Sequence, residues 1–227
     1  MTNSVPFLKE GLALIDNLLS PENFKSLHSQ MTGDNYRSVH QGGYWNKVWR
    51  LWDGDPVRGT TVLFNPPSNL NLGVPIYPTN TPMDIFIDAL REATKAYPEA
   101  VGSEEVNWSE IDLCPWIYPP GSGLSLHWDT DRYIGGFTYF LHNQWGTHWG
   151  GELMVGASRP LHMEPEDFLT ENGNENSEDS GVGLYIRPKP NRLVLIGPDR
   201  PHRVARVDAN AGTHVRLSIA GFFLRHP

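Results

Sequence analysis

The sequence predicts a mainly β protein with N-terminal helices, its second half forming a double-stranded β-helix (jelly roll). Two observations carry this. From residue 111 onward the chain breaks into β-like runs of six to eleven residues, punctuated by Gly and Pro. No helical period separates those runs, which favours antiparallel pairing in a sandwich or barrel over a parallel sheet. The helix signals all fall earlier. At 227 residues one core is the expected organisation, so 1–227 reads as a single domain. Residues 1–110 form a helical or mixed support, and 111–227 form the jelly-roll core.

The first helix is expected from Ser20-Pro21 to about Met31, with Pro at the first helical position. A second begins at Thr81-Pro82. There Thr81 can cap, and Asp84 sits in the first turn, where the helix dipole favours an acid. Ile85, Phe86, Ala89, Leu90 and Ala93 recur at helical spacing and give one apolar stripe to pack on a sheet. Pro98 marks its end. Between these helices, residues 40–52 hold Tyr44, Trp45, Trp49 and Trp52 without clean periodicity.

The strand-like runs are IDLCPWIY, GGFTYFLHN, GELMVGA, NRLVLIG, HRVARV and HVRLSIAGFFL. In the second, alternation sets Phe137, Tyr139 and Leu141 on one face and Thr138, Phe140 and His142 on the other. Residues 164–181 carry seven acidic residues and no basic one. They read as a solvated insertion, or as a lid that orders on substrate.

Composition narrows the function. A net charge of −8 argues against nucleic acid, whose backbone normally demands a basic face. No apolar run is long enough to span a bilayer, so no membrane partner is expected. One cysteine, Cys114, excludes an intrachain disulfide and a multi-cysteine metal site. With no signal peptide evident, a cytoplasmic location is expected. The oligomeric state is left open.

The chemistry concentrates in three places. In LSLHWDTD, His127 and Asp129 are two residues apart, so on an extended strand both face the same side. An imidazole beside a carboxylate is two thirds of the facial triad that holds ferrous iron and leaves positions open. A His-x-Asp pair alone is a weak signal. His202, in IGPDRPHRV after an apolar strand and a tight turn, supplies the third ligand. Fourteen residues on stands Arg216, whose planar fork of donors suits a carboxylate. Ser218 shares its strand face and offers a hydroxyl. This order suits three ligands for a metal and a cation for the far acid of a cosubstrate.

These motifs make residues 111–225 resemble the 2-oxoglutarate/iron(II) oxygenases, and within them the prolyl 4-hydroxylase-like branch. Tyr118 stands nine positions before the first ligand, as in that branch. FLHNQW and WGGEL occupy the place of its strand, turn and Gly-Gly-Glu. His202, Arg203 and Val204 match its His-x-Val pattern.

The resemblance implies Fe(II), 2-oxoglutarate and O2, with ascorbate as a possible support. The iron would be held by His127, Asp129 and His202. The cosubstrate's far carboxylate would be held by Arg216, Ser218 and Tyr118. The product would be an alcohol, formed at a C–H bond of a small molecule or of a free, carrier-bound or peptidyl amino acid.

Two departures matter. Collagen-type members use Lys where this chain has Arg216, so proline hydroxylation is only one option. Halogenases lack the carboxylate that Asp129 provides. Trp116, Asp131, Arg132 and Tyr139, with Trp45 and Trp49, are candidates for the substrate region, and a core or turn role is the alternative for each. His214 shares a strand face with Arg216. The competing function is a cupin-like metal-dependent binding or isomerising protein, which would have no use for Arg216 and Ser218 beyond the last His.

Overall fold

A computed structural model describes residues 4–9, 11–41, 51–67, 73–129, 132–156, 182–198 and 200–225. The acidic stretch 164–181, Asp131, Trp45 and Trp49 lie outside them.

Among the described residues three helices and thirteen strands follow the order β1 (Ser4–Lys9), β2 (Leu12–Asp16), α1 (Pro21–Thr32), β3 (Arg37–Ser38), β4 (Val57–Arg58), β5 (Val62–Phe64), α2 (Pro82–Ala96), α3 (Pro98–Val101), β6 (Glu110–Tyr118), β7 (Leu124–His127), β8 (Tyr133–Phe140), β9 (Leu153–Gly156), β10 (Gly183–Ile186), β11 (Arg192–Ile196), β12 (His202–Val204) and β13 (Arg216–Leu224). The strands form two antiparallel sheets. The larger runs β1-β2-β11-β8-β13-β6-β4-β3, with β5 also on β6, and the smaller runs β10-β9-β12-β7. Together they give the jelly roll expected from the strand spacing.

The helices start where their caps place them. Ser20 Oγ accepts from Asn23 N at 3.2 Å, and Pro21 needs no amide partner at the first position. Thr81 caps α2 by accepting from Met83 N. Gln30 of α1 both donates to Thr81 Oγ1 and accepts from Met83 N, so the two helices are joined at this end. Asp84 accepts from the amides of Thr79 and Asn80. The buried face of α2 is Met83, Phe86, Ile87, Leu90, Ala93 and Thr94. Ile85, placed on that stripe from the sequence, is 43% exposed, because the helix is rotated to seat Met83 and Ile87 instead. Pro98 does end α2, and it also opens α3.

The central strands are covered twice. Leu193 and Leu195 of β11 join Phe137 and Tyr139 of β8 beneath the helices. Val194 and Ile196 pack on the other face with Leu12, Leu14 and Phe140 against Leu153, Val155 and Ile186 of the small sheet. Burial on both faces explains why NRLVLIG reads as a continuous apolar run rather than an alternation. Each such side chain contributes roughly 1.5–3 kcal/mol by leaving water.

Two features differ from the sequence expectation. Residues ahead of α1, given no element from the sequence, form a hairpin, β1–β2, and β2 is buried along its whole length. It is an inner strand beside β11, tied there by Asp16, which accepts from Arg192 and Lys189. The second is β10, which pairs with β9. Among the described residues no helix is long and apolar enough to cross a membrane.

Candidate active site

Between the two sheets lies a cavity of about 440 Å³. Its floor is built by alternation. On β6, Asp112, Cys114, Trp116 and Tyr118 face inward. On β13 the inward residues are Arg216, Ser218, Ala220 and Phe222, and on β8 they include Gly136 and Thr138. The register pairs Arg216 with Tyr118 at one end and Phe222 with Asp112 at the other.

Over this floor β7 and β12 bring two histidines together. His202 pairs directly with His127 across the ladder, and their ring centroids are 4.3 Å apart. Asp129 follows β7 by two residues, and one ligand atom from each of the three lies within 4.8 Å of the others. Each ring is oriented by its own backbone. His127 Nδ1 lies 2.8 Å from Ser125 O, and His202 Nδ1 lies 2.9 Å from Arg200 O. A carbonyl only accepts, so Nδ1 carries the proton and each Nε2 keeps its lone pair for a metal. Burial, with the neighbouring His202, pushes His127 down to about 3, so its imidazole is neutral. Burial raises Asp129, a cost that a bound cation would offset. Two imidazoles and a carboxylate suit Fe(II) with open positions.

Gly136 leaves room for that carboxylate. A Cβ there would stand 3.3 Å from Asp129 Oδ2 and 3.2 Å from Gly221 O.

Arg216 is the second focus. It is 1% exposed, and its guanidinium lies 5.0 Å from the Tyr118 ring centre and 4.9 Å from that of Phe140. Nε donates to Gly151 O at 2.8 Å and Nη1 to Ser218 Oγ at 3.0 Å. Among the described residues Nη2 is buried without a hydrogen-bond partner. Burial lowers Arg216 to about 10, so it stays a cation at neutral pH. A buried guanidinium with an unused donor is costly alone and fits an incoming carboxylate. Gly151 has φ +71, and a Cβ on it would sit 3.0 Å from Arg216 Cδ. This is the structural reason for the second glycine of WGGEL.

The remaining candidates separate. Trp116 lines the cavity. Tyr139 does not: it is fully buried on the opposite face of β8, against Phe86, and donates to Asn191 Oδ1 at 2.7 Å. Strand alternation already put it on the face opposite Thr138. Arg132 is exposed on a turn, 6.0 Å from the Tyr133 ring centre. His214 is exposed and stacks on Trp149. Trp128, read as packing, is buried and also borders the cavity.

Sequence reasoning passed over Asp112, Arg58, Tyr133 and Phe222, which line the end away from Arg216. The period-2 pattern of β6 and β13 would have found Asp112 and Phe222. His142, placed on the face of Thr138 and Phe140 from the sequence, is buried beside Trp145, with Nδ1 3.3 Å from Leu217 O.

Residues 115–224 match the family model described as the 2OG-Fe(II) oxygenase superfamily. The chain belongs to that superfamily. It is a 2-oxoglutarate-dependent iron(II) oxygenase, and the family's cofactors are Fe(II), 2-oxoglutarate and O2. The cupin-type alternative falls with this assignment. No curated protein matches the oxygenase in sequence.

Its fold is shared by solved structures. A Pseudomonas putida prolyl-4-hydroxylase is 18% identical with a TM-score of 0.59, covering 96% of this chain and 94% of its own. A Trichoplax adhaerens prolyl hydroxylase, solved with a hypoxia inducible factor oxygen degradation domain peptide fragment, is 16% identical with a TM-score of 0.57, covering 95% and 84%. A Burkholderia pseudomallei oxidoreductase of the 2OG-Fe(II) oxygenase family is 12% identical with a TM-score of 0.56, covering 95% and 86%.

Proposed function

We propose that the oxygenase hydroxylates an unactivated C–H bond of a small-molecule or amino-acid substrate, with His127, Asp129 and His202 as iron ligands. Arg216, Ser218 and Tyr118 would hold the far carboxylate of 2-oxoglutarate. The observation that carries this reading is the buried Arg216, whose Nη2 has no partner among the described residues, a cation prepared for an incoming acid.

Each residue has a physical task. The Ser125 and Arg200 carbonyls hold both imidazoles in the tautomer that presents Nε2. The Gly151 carbonyl and Ser218 hydroxyl fix the plane of the guanidinium. Nη2 then presents one charge-assisted donor to the cosubstrate. Rings of Tyr118 and Phe140 on the guanidinium keep water from competing. When bound, iron and 2-oxoglutarate supply the oxidation: one atom of O2 enters the substrate C–H bond, the other enters succinate, and the cosubstrate's C1 leaves as CO2.

The test is succinate release from 2-oxoglutarate by purified protein with ferrous iron and ascorbate. The wild type releases it, and His127→Ala and Asp129→Ala do not. Release undiminished in both variants would show that these residues do not hold the iron.

A further inference from the structure

The end of the cavity away from Arg216 holds two opposite charges that do not pair with each other. Asp112 and Arg58 both line it, yet among the described residues the Asp112 carboxylate accepts no hydrogen bond and neither side chain forms an ion pair. Strand register locates Asp112. It is directly opposite Phe222, which is directly opposite Gly136, the residue against which the Asp129 carboxylate rests. Two ladder steps of ~4.8 Å put Asp112 about 10 Å from Gly136, level with the metal ligands. Along β6 it stands six residues from Tyr118, roughly 20 Å at ~3.3 Å per residue. A five-carbon diacid anchored at Arg216 does not reach it.

Arg58 arrives from the neighbouring strand. It pairs with Trp116 across β4 and β6, and Nη2 donates to Thr61 Oγ1 at 3.1 Å. Thr61 leads into β5, whose Val62 pairs with Leu113, so this bond draws the guanidinium along β6 towards Asp112. The wall beside them is the stacked pair Tyr133 and Phe222, centroids 4.1 Å apart. Burial raises the Asp112 carboxyl against the opposing pull of Arg58 and Arg132, as expected of an acid partly removed from water without a bonded cation.

We infer that this end of the cavity binds a free α-amino acid as its zwitterion, the ammonium on Asp112, the carboxylate on Arg58 and the side chain against the aromatic pair near the metal. A zwitterion satisfies both charges at once. A peptide-bonded residue, whose amide nitrogen and carbonyl are neutral, leaves both unsatisfied. This inference rests on the oxygenase reading of the same site and narrows its substrate.

The experiment titrates the twenty common L-amino acids, and their N-acetyl forms, into protein holding ferrous iron and 2-oxoglutarate under argon. Calorimetry reads binding; oxygen is then admitted and products are read by mass. At least one free amino acid binds and gains one oxygen atom, and its N-acetyl form binds at least tenfold more weakly. Asp112→Asn weakens the free amino acid at least tenfold and leaves the N-acetyl form unchanged. Equal binding of N-acetyl and free forms, no binding by any free amino acid, or unaltered affinity in Asp112→Asn overturns the inference. Failure of iron or 2-oxoglutarate to bind before any amino acid is added sinks the underlying oxygenase reading instead, so the two failures are distinct.

Discussion

His127 and His202 are direct cross-strand partners on the small sheet, although 75 residues separate them in sequence. Each is oriented by the carbonyl two residues before it. The proposed metal site is therefore a property of strand register. A one-residue slip of β12 on β7 would turn His202 to the opposite face and dissolve the triad.

Arg216 is expected to govern cosubstrate affinity. Arg216→Ala leaves the far carboxylate of 2-oxoglutarate without its cation in a buried site, a loss of about 2–5 kcal/mol. Apparent KM for 2-oxoglutarate rises at least thirtyfold, read from succinate formation over a concentration series. Arg216→Lys recovers part of this, because a lysine keeps the charge but cannot bond Gly151 O and Ser218 Oγ in one plane. Equal KM values for Ala and wild type would remove Arg216 from the site.

Gly136 sets the room available to Asp129. In Gly136→Ala the added Cβ meets the carboxylate at 3.3 Å and the Gly221 carbonyl at 3.2 Å, so the ligand must move by a few tenths of an ångström. Iron affinity falls about tenfold, in the range seen when a ligand's supporting contacts are lost. A metal titration followed by fluorescence reads it. Unchanged affinity would place the carboxylate elsewhere.

Tyr139 was a candidate for the substrate region and is instead a core residue. Tyr139→Phe removes its bond to Asn191 Oδ1, which still accepts from Leu19 N. Stability falls by about 1 kcal/mol, measured by denaturant titration, and the rate of succinate release stays at the wild-type value. A lower rate with unchanged stability would return Tyr139 to the site.

Asp16 makes stability depend on pH. Burial raises its carboxyl, but the bonds and charges of Arg192 and Lys189 outweigh that and hold it below the ordinary value. A depressed carboxyl contributes stability above its unfolded pKa of about 3.9 and loses it as pH falls through the lower folded value. Asp16→Asn is therefore less stable than wild type at pH 7, by about 2 kcal/mol. The gap narrows as pH drops below about 4. Thermal melts of both proteins from pH 7 to pH 2 check this, and a gap constant over that range contradicts it.

The legibility of this protein follows from distance along the chain. His127 with Asp129, and Arg216 with Ser218, are pairs two residues apart, so period-2 geometry alone puts each on a shared face. Joining the two pairs to His202 needed a family resemblance, since nothing local says that β12 lies beside β7. The helices were legible because Ser20-Pro21 and Thr81-Pro82 cap themselves. β2 was not, because LALID is short, apolar up to its closing Asp16 and without alternation, and becomes a strand only by lying between β1 and β11. Tyr139 looked like a pocket residue from its type. Alternation along β8 puts it on the helix-covered face. Asp112 shares the inward face of IDLCPWIY with Trp116 and Tyr118 by the same period-2 rule, but no motif marks it.

The central claim is tested most directly by adding 2-oxoglutarate to the ferrous protein under argon and recording visible absorption. A 2-oxo acid chelating iron held by His127, Asp129 and His202 develops a saturable metal-to-ligand band. The same titration of Arg216→Ala shifts to much higher concentrations. Iron that binds normally while 2-oxoglutarate produces no band in wild type would contradict the account.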